Sequence, residues 1–174
     1  MSLSAQDYSP PPPPPSLPNH HQIDQTGQCL CGNAKFRVKG TIVFNELCHC
    51  RACGRARGMT PVHLLGVQGE FDLFRGDTRT IAGMGSMEHV NCAVCGGGLY
   101  QRPAGETFYA VFPTTFQIET VTNDDIPSSV LPNYLQPTVH VNYENRLFDF
   151  HDNLPKYKSN FGSRRVNNTG EIID

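Results

Sequence analysis

At 174 residues the chain suits one domain with a core of useful size. Fourteen basic against sixteen acidic residues leave a net charge of -2, so no global field favours nucleic acid or an anionic membrane as a partner. No apolar run approaches the length of a membrane span, and no charged-then-apolar leader marks export.

Residues 1–25 read as a disordered tail. Six consecutive prolines, 10–15, favour polyproline II and cannot build a core. That run is either an inert extended segment or a ligand for a proline-reading module. The folded domain is expected over 26–163, with 164–174 as a C-terminal tail. Within the domain the signals are for strands. Residues 34–39 alternate apolar with basic side chains, the pattern of a half-buried strand, and 41–47 form a second strand that runs straight into Cys48. A short helix is expected over 51–56, because Cys50 and Cys53 at i and i+3 share a helix face. Shorter strands follow at 63–67, 71–74, 88–90, 99–101 and 108–112, and 139–143 with 147–150 reads as a hairpin turning at Tyr143-Glu144-Asn145-Arg146. Sixteen glycines and fourteen prolines punctuate these segments, and no long helical period occurs, so the expected class is mainly β.

The chemistry sits in the cysteines. All seven fall into three clusters: Cys29-Leu30-Cys31, Cys48-His49-Cys50-Arg51-Ala52-Cys53 and Cys92-Ala93-Val94-Cys95. Cysteines this close do not pair usefully in disulfides, but a tight turn aims both sulfurs at one metal. The odd count also argues against a disulfide framework, and a reducing, cytoplasmic setting suits free thiolates. Structural zinc takes four ligands, whereas catalytic zinc has three protein ligands and an open position. Seven therefore divides into a closed centre of Cys29, Cys31, Cys92 and Cys95 and an incomplete one of Cys48, Cys50 and Cys53, giving two zinc ions per chain. The competing division completes the triplet with His49 and makes both centres structural. On an extended segment, however, a His between two ligating cysteines points the opposite way.

An open three-thiolate zinc suits a thiol substrate better than hydrolysis, because soft donors weaken zinc as a Lewis acid towards water. A thiol bound there loses its proton and attacks electrophiles such as aldehydes. Arg51, Arg55 and Arg57 flank the triplet, where they either attract the carboxylates of a peptide-like thiol or form plain surface. His49 and His140 are the candidates for moving a proton.

The segments Gly27-Gln28-Cys29-Leu30-Cys31-Gly32, Cys48-His49-Cys50-Arg51-Ala52-Cys53 and Cys92-Ala93-Val94-Cys95-Gly96 resemble the glutathione-dependent formaldehyde-activating enzyme family, which includes centromere-protein-V-like proteins. Pro137-Thr138-Val139-His140-Val141-Asn142-Tyr143, followed by Asp152-Asn153-Leu154-Pro155-Lys156-Tyr157, is similar to that family's C-terminal pattern, so the likeness spans about 27–162. The resemblance implies a compact two-sheet β fold of the kind shared by methionine sulfoxide reductase B and Rab-accessory zinc proteins. It implies structural zinc on Cys29, Cys31, Cys92 and Cys95 and catalytic zinc on Cys48, Cys50 and Cys53, the division that spacing also favours. The activity implied is that of a carbon-sulfur lyase joining glutathione and formaldehyde, with Arg51, Arg55 and His140 as candidates for substrate contact. A non-catalytic, zinc-stabilised protein-binding module is the alternative. The chain departs from the family pattern at Asn91, where an aromatic is common, at Arg57, where a small hydroxyl residue is common, and over 112–116.

Overall fold

The computed structural model describes residues 21–83, 87–118 and 131–173; the proline run, read as either an inert segment or a ligand, lies outside them. The described residues form ten strands and one α-helix: β1 (Gln22–Gln28), β2 (Lys35–Cys48), α1 (Arg51–Arg57), β3 (Val62–Arg75), β4 (Thr78–Ala82), β5 (Met87–Cys92), β6 (Gly98–Pro103), β7 (Phe108–Val111), β8 (Val139–Val141), β9 (Lys156–Tyr157) and β10 (Arg165–Val166). The fold is mainly β, as expected. The strands follow one hydrogen-bonded path, β10-β9-β8-β2-β3-β7-β6-β5-β4, instead of two separate sheets. β1 runs antiparallel beside the first half of β2, and β8 lies parallel to the second half of the same edge, so the sheet is mixed.

The long β2–β3 ladder unites the sheet. Each strand has 14 residues and joins two of the expected short strands through a glycine, Gly40 or Gly69. These glycines pair directly with each other. A Cβ on either would collide with the backbone of the opposite strand, at the Gln68 carbonyl for Gly40 and the Lys39 carbonyl for Gly69. They mark a close backbone approach and not the breaks that they suggest in the sequence.

The ladder has a bulge at Val43: Ile42 pairs with Val67, but Phe44 already pairs with Gly66. One extra residue switches every following side chain to the other face of the sheet. Before the bulge, Phe36, Val38 and Ile42 enter the larger core with Leu65, Val67, Leu99 and Val111. After it, Phe44 and Cys48 enter a second cluster with Val62, Leu64, Ala110 and Val141. β3 keeps its alternation opposite the bulge, so Leu64 and Leu65 serve opposite cores. Each fully buried Leu or Phe contributes about 1.5–3 kcal/mol in such cores.

Three local expectations change. β1 starts at Gln22 and buries Ile23, so folded structure reaches into the segment read as tail. At the other end Arg165–Val166 pairs with β9 and Val166 is buried, so 164–173 joins the sheet although its own sequence is polar. The hairpin of 139–143 with 147–150 does not form. Asn142 adopts a left-handed conformation (φ 55°, ψ 35°), a 3-10 turn covers Tyr143–Asn145, and β8 pairs instead with β2 and β9. Asn tolerates that conformation better than most residues, which explains its use at this corner.

Two predictions concern this frame. Gly40→Val should lower stability by about 1–3 kcal/mol, since the obstacle is opposing backbone and cannot move aside; urea unfolding of zinc-saturated protein measures it. The second concerns His63, which pairs its Nε2 with Asn45 Oδ1 at 2.7 Å and whose pKa burial pulls down to about 4. The unfolded chain takes up this proton near the ordinary pKa of about 6.5. The stabilisation is therefore complete above that pH and is lost as pH falls towards 4, by at most about 1.4 kcal/mol per pH unit. His63→Gln should show a shallower loss over this window when compared with wild type in the same zinc-saturated buffers.

Candidate metal centres

The first centre forms where β1 ends and β5 turns into β6. Cys29 and Cys31 come from one turn and Cys92 and Cys95 from the other, and their four sulfurs lie within 4.8 Å of one another. The Cys29 and Cys31 sulfurs are 3.5 Å apart, and those of Cys31 and Cys92 are 4.0 Å apart. A tetrahedron with zinc–sulfur bonds of about 2.3 Å has edges of about 3.8 Å, so the set fits such an ion. Backbone N–H groups support the sulfurs: Ala34 donates to Cys29, Val94 to Cys92 and Gly97 to Cys95. The Gly97 N–H, with that of Cys31, brings the Cys95 pKa down to about 6.

The second centre lies on the opposite face of the sheet. Cys48 closes β2, Cys50 caps the N-terminus of α1 and Cys53 sits on its buried side. The three sulfurs also lie within 4.8 Å of one another, with 3.8 Å between Cys48 and Cys53. Each accepts a hydrogen bond from outside the thiol set: Cys50 from the Cys53 backbone N–H at 3.2 Å, Cys53 from Gln101 Nε2 at 3.3 Å, and Cys48 from Asn142 Nδ2 at 3.6 Å. The left-handed turn at Asn142 thus aims a donor at the centre. Without a cation the thiols compete for one negative charge. Hydrogen bonds from Cys48 and Cys53 pull the Cys50 pKa down to about 3. Cys48 is pushed up by its bonds with Cys50 and Cys53, and Cys53, although its bond with Cys48 lowers it, ends at about 11 through Cys50 and burial. A divalent cation removes this conflict, so the donor set fits a metal.

No fourth Cys, His, Asp or Glu among the described residues joins the triplet. His49 turns away from it, as its position on an extended segment suggests. It is buried, and Nε2 lies 2.8 Å from His140 Nδ1; His140 Nε2 lies 2.9 Å from Asp152 Oδ2. A carboxylate only accepts, so His140 carries its proton on Nε2 and accepts at Nδ1 from His49 Nε2–H. Among the described residues, that leaves His49 Nδ1 as a buried acceptor without a partner. Burial, and then the charges of His140 and Arg146, bring His49 down to about 4. Tyr143 and Phe150 pack their rings around both imidazoles. The chain ends at the buried Lys156, whose Nζ donates to Asp152 Oδ1 at 2.7 Å and to the Asp152 and Leu154 carbonyls.

A pocket of about 230 Å³ opens beside Cys50 and His49, walled by Arg51, Arg55, Met59 and Leu147. Arg51 and Arg55 both line the pocket that Cys50 also lines. His140 does not line this pocket, since it is wholly buried and paired with His49 and Asp152. Gln101, Asn142 and Asp152 carry no spacing signal that would have singled them out. Glu46 does precede Cys48 by two residues on the same sheet face, and burial followed by the charge of Cys50 raises its pKa to about 7.

The model of the glutathione-dependent formaldehyde-activating enzyme family matches residues 24–145. The chain belongs to this family. No curated protein matches it. The family match contains all seven cysteines, both central histidines and Gln101, but it ends before Asp152 and Lys156. Two departures from the family pattern meet in space: Arg57 Nη1 donates to Asn91 Oδ1 at 2.6 Å. Arg57 is thereby turned beneath α1, away from the surface role read for it beside Arg51 and Arg55.

Removing the Asp152 carboxylate strands a lysine that is 2% exposed. Asp152→Ala should cost about 3 kcal/mol, the low end for breaking a buried pair because Asp152 itself is partly solvated. Adding Lys156→Met should recover most of that loss in denaturant unfolding.

Proposed function

We propose that Cys48, Cys50 and Cys53 hold a catalytic zinc ion, that Cys29, Cys31, Cys92 and Cys95 hold a structural one, and that the protein is a carbon-sulfur lyase of the S-hydroxymethylglutathione synthase type. It joins a glutathione-like thiol to formaldehyde or another small aldehyde. The observation that carries this reading is the three-sulfur centre, joined by no fourth Cys, His, Asp or Glu among the described residues, beside a pocket lined by two arginines. When bound there, zinc lowers the pKa of a thiol entering its open position.

The chain's own residues do the rest. Arg51 and Arg55 orient the substrate's carboxylates, and Met59 and Leu147 wall the pocket beside Cys50. Gln101 and Asn142 hold the Cys53 and Cys48 sulfurs through N–H donors, so these thiolates stay ligands and not nucleophiles. In the addition the thiol S–H breaks, a carbon–sulfur bond forms and the carbonyl oxygen becomes a hydroxyl. His49 lines the pocket, and its buried Nδ1, an acceptor without a partner among the described residues, is the group that would hold the proton on its way between sulfur and oxygen. Asp152, acting through His140, keeps His49 in the tautomer that this needs. Seven free cysteines serving as metal ligands suit a cytoplasmic setting.

The binding-module alternative has one observation in its favour. Leu30 and Val94, at the tips of the two turns of the first centre, are 93% and 70% exposed. A direct test separates the readings. Wild type should contain two zinc ions and form thiol–aldehyde adduct above the uncatalysed rate. Cys50→Ser should retain one zinc and fall to background. Two zinc ions that no thiol perturbs, with no rate above background, would favour the binding module.

A further inference from the structure

The buried face of α1 carries Cys53 and, one turn on, Arg57. The Arg57 guanidinium is held on several sides. Nη1 donates to Asn91 Oδ1 at 2.6 Å, and Nη2 lies 3.5 Å from both His89 Nδ1 and the Tyr100 carbonyl. Its central carbon stands 4.3 Å from the centre of the Phe112 ring. Asn91 is fixed in turn by donating to the His89 carbonyl at 3.1 Å, and His89, Asn91 and Phe112 are all buried. The floor of the cradle is Gly98, where a Cβ would collide with Nη1. These features make a place shaped for a guanidinium.

None of these partners is a carboxylate, and no ion pair to Arg57 occurs among the described residues. Burying a cation without a counter-charge is costly. Burial accordingly draws the Arg57 pKa down, and the charge of Cys53 is what opposes that shift. Three thiolates around a divalent cation carry a net charge of about -1, and the local low dielectric strengthens its attraction to a nearby guanidinium.

We propose that Arg57 is a positioning residue of the three-cysteine centre, clamped by Asn91 and Phe112 so that its charge offsets the surplus negative charge of the thiolates and holds the Cys53 end of α1 against β5 and β6. The proposal rests on the reading that this centre holds a metal, and its test keeps the two apart.

The full chain is loaded with cobalt(II) and titrated with a chelator, following the thiolate-to-cobalt absorption, for wild type, Arg57→Gln, Arg57→Lys and Asn91→Leu. The four-cysteine centre is the internal control, since its retained cobalt reports a folded protein. Wild type should bind two cobalt ions. In Arg57→Gln the second should leave at roughly 10–100-fold lower chelator, with a shifted absorption, while the first stays. Arg57→Lys should recover most of the affinity, and Asn91→Leu, which keeps the charge but loses the clamp, should fall between. If Arg57→Gln unfolds, the comparison of Arg57→Lys and Asn91→Leu with wild type decides. An unchanged titration and absorption in Arg57→Gln, or in Asn91→Leu where that variant has to decide, overturns the proposal. So does an Arg57→Lys protein no better than Arg57→Gln, which would mean packing and not charge. A wild type that binds only one cobalt overturns the underlying metal reading as well.

Discussion

The paired passage of β2 against β3 places both centres. β2 leaves the turn that carries Cys29 and Cys31 and ends at Cys48, so one strand links the two sulfur sets. The Val43 bulge determines that they occupy opposite faces. Were Val43 paired as a regular strand residue, strict alternation from Ile42 would point Cys48 towards the core that surrounds Cys29 and Cys92. The Gly40–Gly69 pair lets the two backbones remain in contact along this length. β5 and β6 close the circuit, since the turn between them supplies Cys92 and Cys95 while Gln101 on β6 reaches Cys53.

The two centres place one residue type in different surroundings. Around the first, the donors to sulfur are backbone N–H groups of the two turns, so the geometry follows from the turns themselves. It joins residues far apart in sequence, and a metal there would contribute to folding because the site does not exist in the open chain. The second spans only 48–53, and closing so short a segment constrains the unfolded chain little. Its support comes instead from side chains of distant elements, Gln101 and Asn142, and from the imidazole pair behind it. Such support orients ligands more than it stabilises the fold, which is the arrangement expected of a reactive centre.

The histidine chain shows how a local segment acquires a chemical setting from afar. His49 lies between two cysteines, but its partner arrives on β8, parallel to the end of β2, with Leu47 in register with His140. Asp152 and Lys156 follow in the segment leading into β9. The parallel pairing depends on the break at Asn142, and the same residue supplies a donor to Cys48. One turn therefore ends a strand and completes the centre.

The sequence alone determined which cysteines belong together. Cysteines two or three residues apart readily turn towards one site, and such convergence is governed by local spacing, so the grouping into sets of four and three was legible without coordinates. The mainly β class and α1 were legible too, because alternation and the Cys50–Cys53 interval are also local signals. Tertiary structure decided what depends on register and long-range pairing. It merged short strands through Gly40 and Gly69, drew residues 22–25 and 165–166 into the sheet, and replaced the expected hairpin by parallel pairing. It also buried His140 and turned Arg57 beneath the helix, away from Arg51 and Arg55. A side chain's direction depends on the parity of its strand and on what the opposite element offers, and a single bulge or left-handed residue resets both.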